Sequence, residues 1–237
     1  MEKIVLYIHG MGGGGDSRIP SILRDYFARP ITQLPSAEAE ANVEPRNEGS
    51  SIERAKVKVV VRTYDFDPEV ATRQIAGWVE ELKPNLIIGE SLGSLQAIRI
   101  KGIPHLFVSP SLNAPLYLGN LAWLALIPGV TWLFDRIYKP KEGDRQRLHF
   151  TFSTLKKYRR HRREALKNTT RSGSEDYFFA FFGTHDHYRR SGVVSIRTWE
   201  KYFGQTWQMY EGTHFMEEEH INALLVPKIC ELLNVSR

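Results

Sequence analysis

The chain has 237 residues, 42% of them hydrophobic and 25% charged, which suits one large globular domain or two small ones and gives ample material for a core. Aromatic residues make up 11% and are spread along the chain, which excludes disorder as the main theme, and the single cysteine, Cys230, excludes an internal disulfide and any Cys-rich zinc or iron–sulfur site. The net charge of +5 hides a division: residues 136–171 carry 13 Lys and Arg against 3 Asp and Glu, while the other 201 residues carry 19 against 24. An otherwise slightly acidic chain therefore holds one strongly basic segment, and any acidic partner is to be sought there.

Lys3 to His9 (KIVLYIH) is short, β-branched and aromatic and stops at a glycine cluster, so it reads as a buried strand ending in a tight loop. Its apolar run is only five residues, with no small-residue cleavage site after it; no secretory signal is expected, and with one cysteine a reducing, cytoplasmic setting is. Ile19 to Ala28 reads as a helix, and Pro30 to about Lys56, rich in Pro, Ala, Glu, Asn and Ser, as a surface excursion. Val57 to Tyr64 is the second predicted strand, Pro68 to Lys83 a helix with Val70, Ile75, Trp78, Val79 and Leu82 on one face, and Asn85 to Gly89 the third strand. Further on, the pattern predicts helix over Ser91 to Lys101, strand over Ile103 to Ser109 and over Asp176 to Gly183, helix over Ser195 to Phe203, and strand over Thr206 to Tyr210. A last helix runs from Glu217 to Leu233, with Pro227 as a local kink. Strands alternating with helices imply an α/β fold with a mainly parallel sheet covered on both faces.

The alternation breaks between Asn113 and Thr170. The expected division is a core of residues 1–112 and 173–237 with an insertion over 113–172, apolar at first and then basic. Ala114 to Phe134 is free of charge and long enough to span a bilayer, but Pro115, Gly119-Asn120 and Pro128-Gly129 interrupt it, so a membrane span is not expected. From Ser153 onward Leu155, Tyr158, Ala165 and Leu166 recur at helical spacing among Lys156, Lys157, Arg159, Arg160, Arg162 and Arg163, which predicts an amphipathic basic helix.

Chemistry concentrates in Gly89-Glu90-Ser91-Leu92-Gly93, a G-x-S-x-G pattern that follows an apolar strand and opens a helix. A serine on so sharp a turn needs neighbours without Cβ atoms, and its hydroxyl is left standing above the sheet edge. A hydroxyl is a poor nucleophile until a base takes its proton, so a His and an orienting acid must follow in chain order. His214, after the last predicted strand, is the candidate base; Asp186, after the strand DYFFAFFG, is the candidate acid, with Glu211 and Asp176 as weaker rivals. The Leu92 amide and, in the His9-Gly10-Met11-Gly12 loop, the Met11 amide are the candidate donors for an oxyanion hole. The glycine run to Gly15 is expected to let backbone approach the reacting carbonyl.

Rival readings fit less well. Gly10, Gly12 and Gly15 satisfy G-x-G-x-x-G, but no acidic residue ends a strand about 20 residues on. A phosphate-binding loop fails because Asp16 stands where Lys is required, and no H-E-x-x-H or Cys/His spacing supports a metal at His185, Asp186, His187, His214 and Glu217 to Glu219.

Together the H-G loop after an early strand, the G-x-S-x-G elbow, and the late Asp186 and His214 resemble the α/β-hydrolase superfamily over nearly the whole chain outside the insertion. His9-Gly10-Met11, Asp16-Ser17-Arg18 and the elbow look like those of the small YqiA-type esterases. The resemblance implies a serine esterase or related acyl hydrolase that takes a small-molecule ester or thioester and needs no metal or organic cofactor. Glu90 inside the elbow and the long basic insertion depart from the minimal members. Hydrolases of this fold carry a lid where the insertion stands, so the resemblance implies a lid over 113–172, with Leu112 to Phe134 as an apolar wall over Ser91 and Tyr117, Trp123 and Trp132 available to an acyl chain. For residues 136–171 the expectation is a solvated lid face paired with acids of the body; the segment also has features of transient contact with an anionic membrane surface. Nucleic acid is disfavoured, since a basic face alone reads no bases. The alternative to an enzyme is a hydrolase-fold protein that binds such a surface or an acidic partner without catalysis.

Overall fold

The computed structural model describes residues 2–29, 56–139, 142–167 and 177–235; the expected excursion over 30–55, Asp176 and the basic positions Lys141 and Arg171 lie outside them. Six strands, β1 (Lys3–Ile8), β2 (Val57–Val61), β3 (Leu86–Glu90), β4 (His105–Val108), β5 (Phe178–Gly183) and β6 (Trp207–Tyr210), form one sheet in the order β2-β1-β3-β4-β5-β6. Every neighbouring pair is parallel.

Because both faces are covered, the inner strands β1, β3, β4 and β5 are nearly continuous apolar runs, and their alternation sorts residues between two cores. On one face Leu6, Ile8, Ile87, Phe107, Ala180 and Phe182 pack with α2 (Pro68–Leu82), α3 (Ser94–Ala97) and α8 (Ile196–Phe203), where Trp199 is fully buried. On the other, Val5, Tyr7, Leu86, Ile88 and Phe181 meet α1 (Arg18–Ala28) and the C-terminal helices. Those helices run α9 (Glu218–His220), a π-helical stretch over Ile221–Leu225 and α10 (Val226–Leu233), so the kink expected at Pro227 is taken up as widened turns just before it.

The helix expected over Ser91 to Lys101 is shorter. A 3₁₀ turn at Ser91–Gly93 leads into α3, after which Arg99 and Ile100 donate back three residues instead of four. Gly102, at φ +74°, and Pro104 then turn the chain into β4.

Between β4 and β5 lie α4 (Ala114–Leu121), a 3₁₀ turn (Leu124–Leu126), α5 (Val130–Ile137), α6 (Phe152–Lys167) and, after β5, the single turn α7 (His187–Arg190). No helix of the described residues is long and apolar enough to cross a membrane. The basic helix α6 buries Leu155, Tyr158, Ala165 and Leu166, the residues its periodicity singled out, in the same core as the sheet. Its apolar stripe is thus occupied, and several of its cations are engaged as well. Lys157 Nζ lies 2.5 Å from Asp67 Oδ2 and 3.4 Å from Glu69 Oε2, and Arg162 donates to the Leu112 carbonyl and to Asn113, both at 2.7 Å. What α6 turns outward is charge.

Of the side chains expected in an apolar wall over Ser91, the two tryptophans stand largely in solvent. Trp123 and Trp132 are 65% and 63% exposed, and Tyr117 donates its hydroxyl to the Ser191 carbonyl.

Candidate active site

Parallel strands end together, and here the carboxyl ends of β1, β3, β4, β5 and β6 bring their following loops to one edge. Ser91 closes β3 at φ +48°, a left-handed conformation that costs a non-glycine residue about 1–3 kcal/mol and has to be held by its surroundings. The holding is visible in the flanking glycines: a Cβ on Gly93 would stand 2.2 Å from the His9 carbonyl oxygen, and one on Gly89 2.9 Å from Ala97 Cβ. Only glycine lets the turn approach β1 and its own helix so closely.

Ser91 Oγ donates to His214 Nε2 at 3.0 Å, and His214 Nδ1 donates to Asp186 Oδ2 at 2.7 Å. Asp186 and His214 are both buried. The other Asp186 oxygen accepts the Tyr188 amide at 2.8 Å, which fixes the carboxylate as the cap of α7, and the Tyr188 ring stands edge-on to the imidazole with centroids 4.7 Å apart. The loop that carries His214 is tied down on both sides. Tyr210 donates to the Thr213 carbonyl at 2.8 Å, and Arg18 donates to the Met216 carbonyl at 2.6 Å and pairs with Glu217. The rival acid Glu211 is turned away onto exposed His185, at 2.6 Å.

The loop after β1 lies against the elbow, since a Cβ on Gly10 would come 3.0 Å from Ser91 Cβ. The Met11 amide makes no hydrogen bond among the described residues, and Leu92 begins the helical turn, where the first amides lack partners within the helix. The glycines beyond serve a different end from the one expected. A Cβ on Gly13 would strike His9 Cβ at 2.9 Å, and one on Gly14 would sit 1.8 Å from the Asp144 carbonyl oxygen, so this run admits the His9 ring and the backbone of Asp144-Arg145. The His9 ring is buried, stacks on Tyr64 at 4.2 Å and donates from Nδ1 to the Gly10 carbonyl at 2.7 Å; burial lowers its pKa to about 4.

Three contributors escape sequence reasoning. Glu90, legible only as an odd charge in the elbow, accepts the Tyr7 hydroxyl at 2.9 Å and the Gly10 amide at 3.4 Å, and so clamps the β1 loop to the elbow. Burial first, and Glu90 second, raise the Tyr7 pKa well above its ordinary value, so the phenol stays a donor. Gln146, in the segment expected to be lid, accepts the Gly12 amide at 3.1 Å and donates to the Tyr64 and Asp65 carbonyls. Ser111, after β4, is buried, with its Oγ 3.1 Å from Ser91 Oγ and its amide donating to the Ser91 carbonyl at 3.0 Å. With the single Ser91 proton directed to His214, Ser91 Oγ is left as an acceptor, and the one Ser111 hydroxyl proton has two acceptors in reach, Ser91 Oγ at 3.1 Å and the Ser109 carbonyl at 3.4 Å. No spacing rule connects Gln146 or Ser111 to the elbow.

No protein-family model and no curated protein matches the chain, but solved structures do. A monoacylglycerol lipase of Paleococcus ferrophilus is 17% identical and superposes with a TM-score of 0.57 over 98% of this chain and 95% of that one. The chain has the α/β-hydrolase fold. Two further α/β-hydrolase structures agree: a carboxylesterase of the thaumarchaeon Nitrososphaera gargenis, 13% identical with a TM-score of 0.51 over 98% of this chain and 92% of that one, and the type II thioesterase BorB of the borrelidin biosynthetic cluster, 15% identical with a TM-score of 0.50 over 99% and 92%. At these identities the likeness is one of α/β-hydrolase fold, and the narrower resemblance to YqiA-type esterases stays one of motif.

Proposed function

We propose that the protein is a serine hydrolase that cleaves a carboxylic ester or thioester through an acyl-enzyme, with Ser91 as nucleophile, His214 as general base and acid, and Asp186 as the acid that orients the imidazole. The observation that carries this reading is the hydrogen-bonded line Ser91 Oγ, His214 Nε2, His214 Nδ1, Asp186 Oδ2, at 3.0 and 2.7 Å, beginning on a left-handed turn. Ser91 Oγ attacks the acyl carbon as its proton passes to His214 Nε2, and Asp186 stabilises the imidazolium. The Met11 and Leu92 amides receive the negative charge of the tetrahedral intermediate. Its collapse breaks the bond to the alkoxide or thiolate, which leaves with the proton from His214. Water then attacks the acyl group by the same route, giving the acid and restoring Ser91. The lipase, carboxylesterase and thioesterase named for the similar structures fit an ester or thioester substrate, and the residues do not favour one over the other.

The test is labelling with a fluorophosphonate probe, with the modified residue located by mass spectrometry. Stoichiometric labelling at Ser91, lost in Ser91→Ala and His214→Ala, is expected, followed by turnover on an ester and thioester panel. A folded wild-type protein that neither labels nor turns over any of the panel overturns the reading and leaves the non-catalytic alternative.

A further inference from the structure

We propose that the segment from α4 to α5 docks on an anionic lipid surface. The eight residues of α5, VTWLFDRI, include none that is buried, yet a helix this short has little stability of its own. Across the turn at Pro128-Gly129 the same surface continues, and Trp123, Leu126, Ile127, Trp132, Leu133 and Ile137 are each 46–65% exposed. Six large apolar side chains so exposed within fifteen residues are far more than the scattered single hydrophobes that water tolerates.

The charges at the patch decide what covers it. Between Asn113 and Lys139 the only acid is Asp135. Arg136 stands over the Trp132 ring at 5.5 Å, and Lys156 of α6 over the Phe152 ring at 5.3 Å, with Phe152 edge-packed on Trp123 at 5.5 Å. Lys139 follows, exposed. Indole rings and branched aliphatics rimmed by cations match the boundary between acyl chains and anionic headgroups: the rings enter the interface, and the long cationic side chains reach back to phosphate. The apolar half of this contact is therefore supplied by α4 to α5, and α6 adds cations at its edge. Docking does not depend on Ser91 being a nucleophile.

Co-sedimentation with phosphatidylcholine vesicles, with and without phosphatidylglycerol, tests this on wild type and on Ser91→Ala, which separates binding from turnover. Both proteins should sediment with the anionic vesicles at low salt, less at high salt, and little with the neutral ones. Arg136→Gln, Lys139→Gln and Lys156→Gln together should weaken partitioning about 100-fold, at about fivefold for each cation. Trp123→Ala with Trp132→Ala should weaken it at least about tenfold, and all these exposed substitutions should leave the far-UV circular dichroism in place. Absence of binding to anionic vesicles at low salt overturns the proposal, as does undiminished binding by the tryptophan variant. So does a concentration-dependent dimer, seen by sedimentation velocity, that Trp132→Ala abolishes, because the patch would then be a contact between copies.

Discussion

The sheet edge around Ser91 and the segment from α4 to α5 spend the same kind of residues in opposite ways. At the sheet edge, polar side chains are buried and joined: Asp186, His214, Ser109 and Ser111 are all buried, and both Ser91 and Ser109 sit at left-handed φ at the ends of adjacent strands. Along α5, Phe134 packs back on Phe150, while Trp132, Leu133 and Ile137 are exposed. The difference teaches where each region's stability comes from. The first is held by a body whose two cores over-determine it; the second is a surface whose free energy is lowered by something outside the chain.

Breaking the polar line should give the largest effect. Asp186→Asn leaves the shape but offers His214 the wrong partner, and kcat should fall about 10⁴-fold in steady-state assays. Thermal and denaturant melts should move far less than the activity. On the body that supports the edge, Trp199→Ala should cost about 3–5 kcal/mol in denaturant unfolding, since the indole is fully buried between α8 and the sheet.

Acid should loosen the same body. Burial lowers the pKa of His9 and of His161 to about 4, the latter helped by Arg99. The unfolded chain binds these protons near pH 6.5 while the folded chain does not, so stability is full above about 6.5 and falls as pH drops toward 4, by about 3 kcal/mol for each histidine. Denaturant midpoints measured across that window should show the loss, and His161→Gln should remove about half of the slope. If the slope is unchanged, His161 is not buried neutral.

Smaller effects separate clamp from chemistry. Glu90→Ala frees the Gly10 amide and the Tyr7 hydroxyl, and kcat should fall about 10–100-fold with KM little changed, as for weakening one oxyanion donor. Glu90→Gln keeps an acceptor and should fall less. Smallest of all, Trp132→Ala should shift stability in solution by no more than about 0.5 kcal/mol. A loss on the scale of Trp199→Ala would mean that α5 is part of the body, and the contrast between the two regions would fail.

Local chemistry was enough to make much of this legible from the sequence. The continuous apolar runs of β1 and β3 could only be strands covered on both sides. Glycines on either side of Ser91 pointed to a crowded turn, and the order Ser91, Asp186, His214 matched loops placed after β3, β5 and β6. The face of α6 that is buried was readable from Leu155, Tyr158, Ala165 and Leu166, because helical periodicity is a property of neighbours in the chain. What covers that face was not. Long-range packing alone decided that α6 packs on α4, α2 and α3, that Gln146 reaches back to Gly12 and that Ser111 meets Ser91, since these pairs are brought together by the return of the chain across the sheet and not by any spacing along it. Glu90 shows the limit most clearly. In the sequence it is a charge beside a nucleophile; in the fold its carboxylate turns toward β1, where a phenol and an amide need an acceptor.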